Sequence, residues 1–324
     1  MGRSENSGLN AAMQKTRNGG GDDAVSSVVA LMLLLAVIAT FVSLYATTYV
    51  PGLKEQSEID RTNSVKEAFM EFSSDIEHIV YKKAGGISYG YPIPLGAGDV
   101  LMSPEKSSGM LAVKDIGNFT DIYIDSQPVA NCSMVNVAFE PSYTFWEEQG
   151  YVWQYGYVNV TKGGRATPLE AYTMEDVLAS ESEFSFSPFG RSFIGFEPEK
   201  NSSGHLSNLT VNVVNITPGQ SKFASGNGHA VLRVKAEISG PEEFTPTWLN
   251  FTFTNSSTDA VASNFSANLA NELRKDLDDL NCTYTGDVKL HPPIVADDHD
   301  TITLEFLSDV EVTVRTLTVY VSAS

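Results

Sequence analysis

The chain has 324 residues, 42% of them apolar and 19% charged, with a net charge of −19 and two cysteines. That apolar fraction excludes a wholly disordered chain, and the length allows one large or two small domains with a real core. Two cysteines exclude a disulfide-dense miniprotein and a four-cysteine zinc ribbon, and so acidic a balance argues against a nucleic-acid partner.

The first element is an uncharged run of 27 residues from Ala24 to Val50. As a helix it measures roughly 40 Å, enough to cross a hydrocarbon layer of about 30 Å. Pro51-Gly52 predicts a loosening at its end. Arg3, Lys15 and Arg17 precede the run, whereas Glu55, Glu58 and Asp60 soon outnumber Lys54 after it. This bias places the N-terminus in the cytoplasm and everything from residue 51 outside, as a single-pass protein of the cell membrane. Residues 1–50 hold three basic and three acidic side chains, so the outer part carries the whole −19. That charge favours solubility and names no partner.

Just before the apolar run the chain reads Lys15-Thr16-Arg17-Asn18-Gly19-Gly20-Gly21-Asp22-Asp23. Over Arg17 to Val50, about a tenth of its length, the chain resembles archaeal type IV pilin-like proteins with a class III signal peptide. The resemblance implies a prepilin peptidase as partner, cutting after Gly21 or, second, Gly20. It removes residues 1–21 and leaves Asp22 as the new N-terminus. It also implies that the helix over 24–80 packs against other pilin-like subunits or stays in lipid. Many pilins carry Glu at the fifth mature position, where this chain has Ser26, and many archaeal members lack that Glu as well. The plain reading of the same residues is a single-pass anchor with an uncut tail.

From Leu53 to Lys83 the helical period continues. Ile59, Val65, Phe69, Phe72, Ile76 and Val80 make one apolar stripe, with Glu55, Glu58, Arg61, Lys66, Glu71, Glu77 and Lys82 on the other faces. The spacing predicts an amphipathic stalk helix over 51–84, its stripe covered by the outer domain or by a neighbouring copy. Ala84-Gly85-Gly86 supplies its C-cap.

Beyond residue 85 the period changes to two. Leu249, Phe251 and Phe253 alternate with polar residues, as do Leu232, Val234, Ala236 and Ile238. The C-terminal set is Ile302, Leu304 and Phe306, then Val310, Val312 and Val314, then Leu317, Val319 and Val321. Such strands have one buried and one wet face. One strong helix interrupts them, with Val261, Phe265, Leu269, Leu273, Leu277 and Leu280 in line, Ser256 to Thr258 as its cap and Asp259 at its first turn. A weaker helix is expected over Pro168 to Ser180. The expected fold is α+β: a long N-terminal transmembrane and stalk helix, then a mainly antiparallel, β-sandwich-like ectodomain over 85–324 with one packed helix. A soft boundary at 180–188 divides that ectodomain into two lobes or lies within one.

Ten sequons lie on the outer side, at Asn118, Asn131, Asn159, Asn201, Asn208, Asn215, Asn250, Asn255, Asn264 and Asn281. Random placement of the outer Asn, Ser and Thr residues gives roughly three, so the excess points to N-glycosylation of an extracellular protein. Composition alone is the competing explanation. Cys132 and Cys282 either pair, closing a loop of about 150 residues, or stay as buried free thiols. Tyr151, Trp153, Tyr155 and Tyr157 alternate and are expected to share one face of a strand. Facing out they form a binding strip for sugar rings or another subunit; facing in they are core.

The acidic clusters Asp276-Asp278-Asp279 and Asp297-Asp298-Asp300 lack the glycine and terminal glutamate of a calcium loop, and read as solvated ends. No metal ligand set, cofactor fingerprint, nucleophile elbow or phosphate loop stands out. The expected function is therefore non-enzymatic: a pilin-like structural or adhesion protein of the cell surface, anchored or assembled into a filament. The competing function is a membrane-anchored extracellular protein that binds a glycan or solute.

Overall fold

The computed structural model describes residues 20–96, 107–169, 188–254, 260–296 and 299–324. Two compact units are distinguished, Met1–Gln56 with Asp99–Pro104, and Ser57–Gly98 with Glu105–Ser324.

The described residues of the first unit are helical. Helix α1 (Gly20–Leu44) runs through a π-helical turn, Tyr45–Tyr49, into helix α2 (Val50–Lys82). The expected loosening at Pro51-Gly52 falls just before the proline. Pro51 has no N–H and its ring crowds the carbonyl four residues earlier. A wider turn relieves that crowding, and Val50 N–H bonds to Tyr45 O, five residues back.

The second unit is a β-domain with one hydrophobic core. Its strands before the first short helix are β1 (Ile87–Pro94), β2 (Ser108–Ile124), β3 (Gln127–Ser142), β4 (Gln149–Gln154), β5 (Tyr157–Lys162) and β6 (Arg165–Pro168). After α3 (Pro188–Arg191) come β7 (Ile194–Lys200), β8 (Leu206–Gly226), β9 (His229–Ile238), β10 (Glu242–Phe244) and β11 (Trp248–Thr254). Helix α4 (Ala260–Thr283) precedes β12 (Val288–Leu290), β13 (Ile294–Val295), β14 (His299–Phe306) and β15 (Glu311–Ala323).

The path β1-β9-β15-β8-β2-β3-β4-β5-β6 is hydrogen-bonded throughout. Strand β8 joins its two halves: residues 208–218 lie along β15, and residues 223–226 along β2. All named strand pairs are antiparallel except β8 with β15. Strands from both sides of residues 180–188 thus share one network and one core. Pro168 ends β6, and the rest of the helix expected over Pro168 to Ser180 lies outside the described residues, apart from Leu169.

The strand alternation read from the sequence is realised on the buried faces. Leu249, Phe251, Phe253, Leu232, Val234, Ala236, Ile302, Leu304, Phe306, Val312, Val319 and Val321 are all buried. Ile238 is the departure: it ends β9 and is half exposed. Helix α4 lays Phe265, Leu269, Leu273, Leu277 and Leu280 on the sheet, and Ser266 Oγ donates to Phe119 O at 3.1 Å. Its expected cap, Ser256 to Asp259, lies outside the described residues.

From Ser57 onward α2 belongs to the β-domain. Val65, Phe69, Phe72, Ile76, Ile79 and Val80 are all fully buried there. The stripe from Val65 to Val80 is therefore covered by the chain's own domain, whereas Ile59, its expected first member, is only partly buried. The helix ends one residue earlier than the glycines suggest: Lys83 takes the left-handed conformation at φ 49°, and Ala84 N–H reaches back to Ile79 O at 3.2 Å. With Lys83 left-handed, this is the longer of the two bonds of a Schellman cap.

Candidate membrane helix and modification sites

Helix α1 starts at Gly20, so Gly20, Gly21 and Asp22 lie in its first turn. From Val28 to Leu44 its apolar side chains are exposed on every side, Leu31, Leu34, Val37, Phe41 and Leu44 among them. A helix without a polar face suits lipid or the apolar faces of other helices. Two hydroxyls of the continuous helical run bond to the backbone one turn back, Thr40 Oγ1 donating to Ala36 O and Thr47 Oγ1, in the π-helical turn, to Ser43 O, both at 2.8 Å. Internal satisfaction is what a bilayer demands of a hydroxyl. Among the described residues, one helix, Ser27–Lys82, is long and apolar enough to cross a membrane.

Nine of the ten sequon asparagines are described, and Asn255 lies outside the described residues. Asn118, Asn201 and Asn264 are exposed; Asn131, Asn159, Asn208, Asn215, Asn250 and Asn281 are half-buried. Three of them meet. Asn131 Nδ2 donates to Asn118 Oδ1 at 2.8 Å, and Asn215 Nδ2 to Asn131 Oδ1 at 3.3 Å. Ser133, the hydroxyl residue of the Asn131 sequon, is buried and donates to Asn215 Oδ1 and to Ile216 O. Asn281 Oδ1 accepts Leu290 N–H, and Asn208 Nδ2 donates to Thr313 Oγ1, each at 3.3 Å.

The aromatic run is corrected in two ways. It does not share one strand face, because Tyr155 and Gly156 form the β4–β5 turn with φ 53° and 84°, and Tyr157 opens β5. Both positive φ values match a type I′ hairpin turn, and at Gly156 a Cβ would lie 2.7 Å from the Phe189 ring. Nor does the run face out. Tyr151 and Trp153 are fully buried, with Trp153 edge-on to Phe72 at 5.3 Å and its Nε1 donating to Ser73 Oγ at 3.1 Å. Tyr155 packs on Phe265 at 5.0 Å, and only Tyr157 is partly exposed. The residues form core, so this run offers no sugar-binding strip.

The expected Cys132–Cys282 bridge is also corrected, since both thiols are free. Cys132 points into the core from β3, where burial pushes its thiol well above the ordinary value. Cys282 is exposed on the outer side of α4. A bridge needs Cβ atoms about 4 Å apart and facing each other.

Glu58 and Arg61, expected off the apolar stripe, are buried in a polar cluster. Glu58 is 2% exposed and accepts three backbone N–H groups, from Thr144 at 3.1 Å, Phe145 at 2.9 Å and Trp146 at 2.8 Å. Arg61 donates to Ser107 Oγ at 2.7 Å and lies over the Tyr143 ring, whose hydroxyl accepts from Thr62. The signal was present: Glu58, Arg61 and Thr62 continue the stripe of Val65, Phe69 and Phe72 at spacings of three and four.

No family model, curated protein or solved structure matches the chain.

Proposed function

We propose that this chain is a cell-surface, pilin-like structural or adhesion protein of archaeal kind, and that it performs no catalysis. Its leader is removed after Gly21, its apolar helix stays in the membrane or packs with other pilin-like subunits, and its acidic β-domain stands outside as a glycoprotein. One observation carries the reading. A single helical stretch, Ser27–Lys82, is apolar on all sides in its first half and then supplies one buried stripe to the β-domain. One element thus serves as anchor and as core, which suits a subunit whose head is held at a membrane or a filament axis. The competing reading, a solute-binding protein, relied on the aromatic run that lies in the core.

Peptide mass spectrometry of the native protein tests the proposal, comparing sheared surface material with washed membranes. A mature end at Asp22 in sheared, polymer-sized material is the result for a filament subunit. The same end found only in membranes is the result for an anchored pilin-like protein. An intact leader overturns the pilin reading.

A further inference from the structure

The cap of α2 turns Lys83 onto the β7–β8 pair. Its Nζ donates to Ser192 O at 2.7 Å, and a Cβ at Gly195 would lie 3.7 Å from that Nζ. Gly195 is the register partner of Asn212. Paired residues in an antiparallel ladder project from the same face, with Cβ atoms about 4.5–5.5 Å apart. The Lys83 amine and the Asn212 side chain therefore lie on the same face of the β7–β8 pair, next to the Gly195 position. Asn212 is 6% exposed, and its Nδ2 donates to Glu197 Oε1 at 2.8 Å. Glu197 lies two residues beyond Gly195, on the same face of β7. Lys83, Glu197 and Asn212 line one cavity of about 310 Å³. Asn212 heads no sequon, being followed by Val213 and Val214.

We propose that Lys83 and Asn212 are joined by an intramolecular isopeptide bond, formed after folding with Glu197 as the proton carrier. The neutral Nζ attacks the Asn212 Cγ and a C–N bond forms. The Glu197 carboxylate takes the proton released by the amine and passes it to Nδ2, to which it is already hydrogen-bonded. The Cγ–Nδ2 bond breaks and ammonia leaves. Atoms balance with no oxidant and no co-reactant: an amine and a primary amide give a secondary amide and ammonia. Burial holds the Lys83 amine below the ordinary lysine value despite the opposing charge of Glu197, which favours the nucleophilic form. Gly195 matters because it leaves the space in which amine and amide meet. The link would tie the last turn of α2 to β8 and stands independently of the surface reading above.

The test uses the full chain, purified from membranes in detergent, beside Lys83→Arg and Glu197→Gln variants checked for the wild-type melting profile. Proteolysis and tandem mass spectrometry should give, for wild type, one branched peptide joining the segments that hold Lys83 and Asn212, lighter than their sum by one ammonia. Lys83→Arg should give only linear peptides. Glu197→Gln should slow branched-peptide formation by about 10²-fold, and it keeps the test open should the lysine variant fail to fold. Linear peptides covering Lys83 and Asn212 in the folded wild type overturn the proposal. So does an ammonia loss located at Asn227-Gly228, where a succinimide gives the same mass change without a cross-link.

Discussion

Asp287 is 5% exposed and holds three chain segments together, accepting Leu206 N–H at 2.9 Å, a contact from His205 Nδ1 at 3.0 Å and Ser308 Oγ at 3.3 Å. The Leu206 N–H bond, ahead of the others, holds its carboxyl below the ordinary carboxylate value. A depressed folded-state pKa contributes stability that is present above the unfolded value, about 3.9, and lost as pH falls through the folded one. Asp287→Asn should therefore lower the urea midpoint at neutral pH and flatten its decline below about pH 4. Equal acid sensitivity in variant and wild type would place the linkage elsewhere. The asparagine trio gives a second prediction at this scale. The Nδ2 atoms of Asn131 and Asn215 are engaged inside the cluster, and the Ser133 hydroxyl is buried. Glycopeptide analysis should find sugar at the exposed Asn201 and Asn264 and none at Asn131 or Asn215. Sugar on either of the last two is incompatible with the observed cluster.

Helix α2 shows what an element reveals in sequence and what it hides. The stripe from Val65 to Val80 was legible because burial repeats with the helical period. Glu58 and Arg61 were not, because a charged residue on an apolar face announces no partner, and theirs lie more than 40 residues away at Ser107 and at Thr144 to Trp146. Taking a carboxylate acceptor away from three backbone donors is costly in a part-buried site. Glu58→Ala should cost about 3 kcal/mol in chemical denaturation, and Glu58→Gln less, since one carboxamide oxygen remains to accept. A loss under about 0.5 kcal/mol in the alanine variant would mean that the 144–146 loop is held by other contacts. The strands repeat the lesson. Each face was readable from alternation at Leu249 to Phe253, yet the parallel pairing of β8 with β15 was not, since register depends on residues about 100 positions apart. The aromatic run failed for a local reason: alternation continues across Tyr155-Gly156 although the chain reverses there.

At the scale of the whole molecule, the division between the apolar helix and the β-domain decides what can be cut away. Residues 1–56 hold four basic and four acidic side chains, so the remainder keeps the full −19 and the solubility that goes with it. The β-domain begins at Ser57, and Val65, Phe69, Phe72, Ile76, Ile79 and Val80 are fully buried within it. Each such side chain contributes about 1.5–3 kcal/mol on burial, so six of them rival the 5–15 kcal/mol that holds a typical domain folded. A fragment starting at residue 57 should therefore be soluble without detergent and melt cooperatively. One starting at residue 85, the boundary that the change of period suggests, should expose Tyr151, Trp153 and the rest of the face that α2 covers. It should aggregate or lose its near-ultraviolet circular dichroism. If both fragments melt alike, α2 is an appendage, and the claim that one helix serves as anchor and core is lost. If only the longer one folds, the head cannot be released by a cut at the glycines after α2. A cut that leaves the β-domain intact must then fall between the apolar run and Ser57.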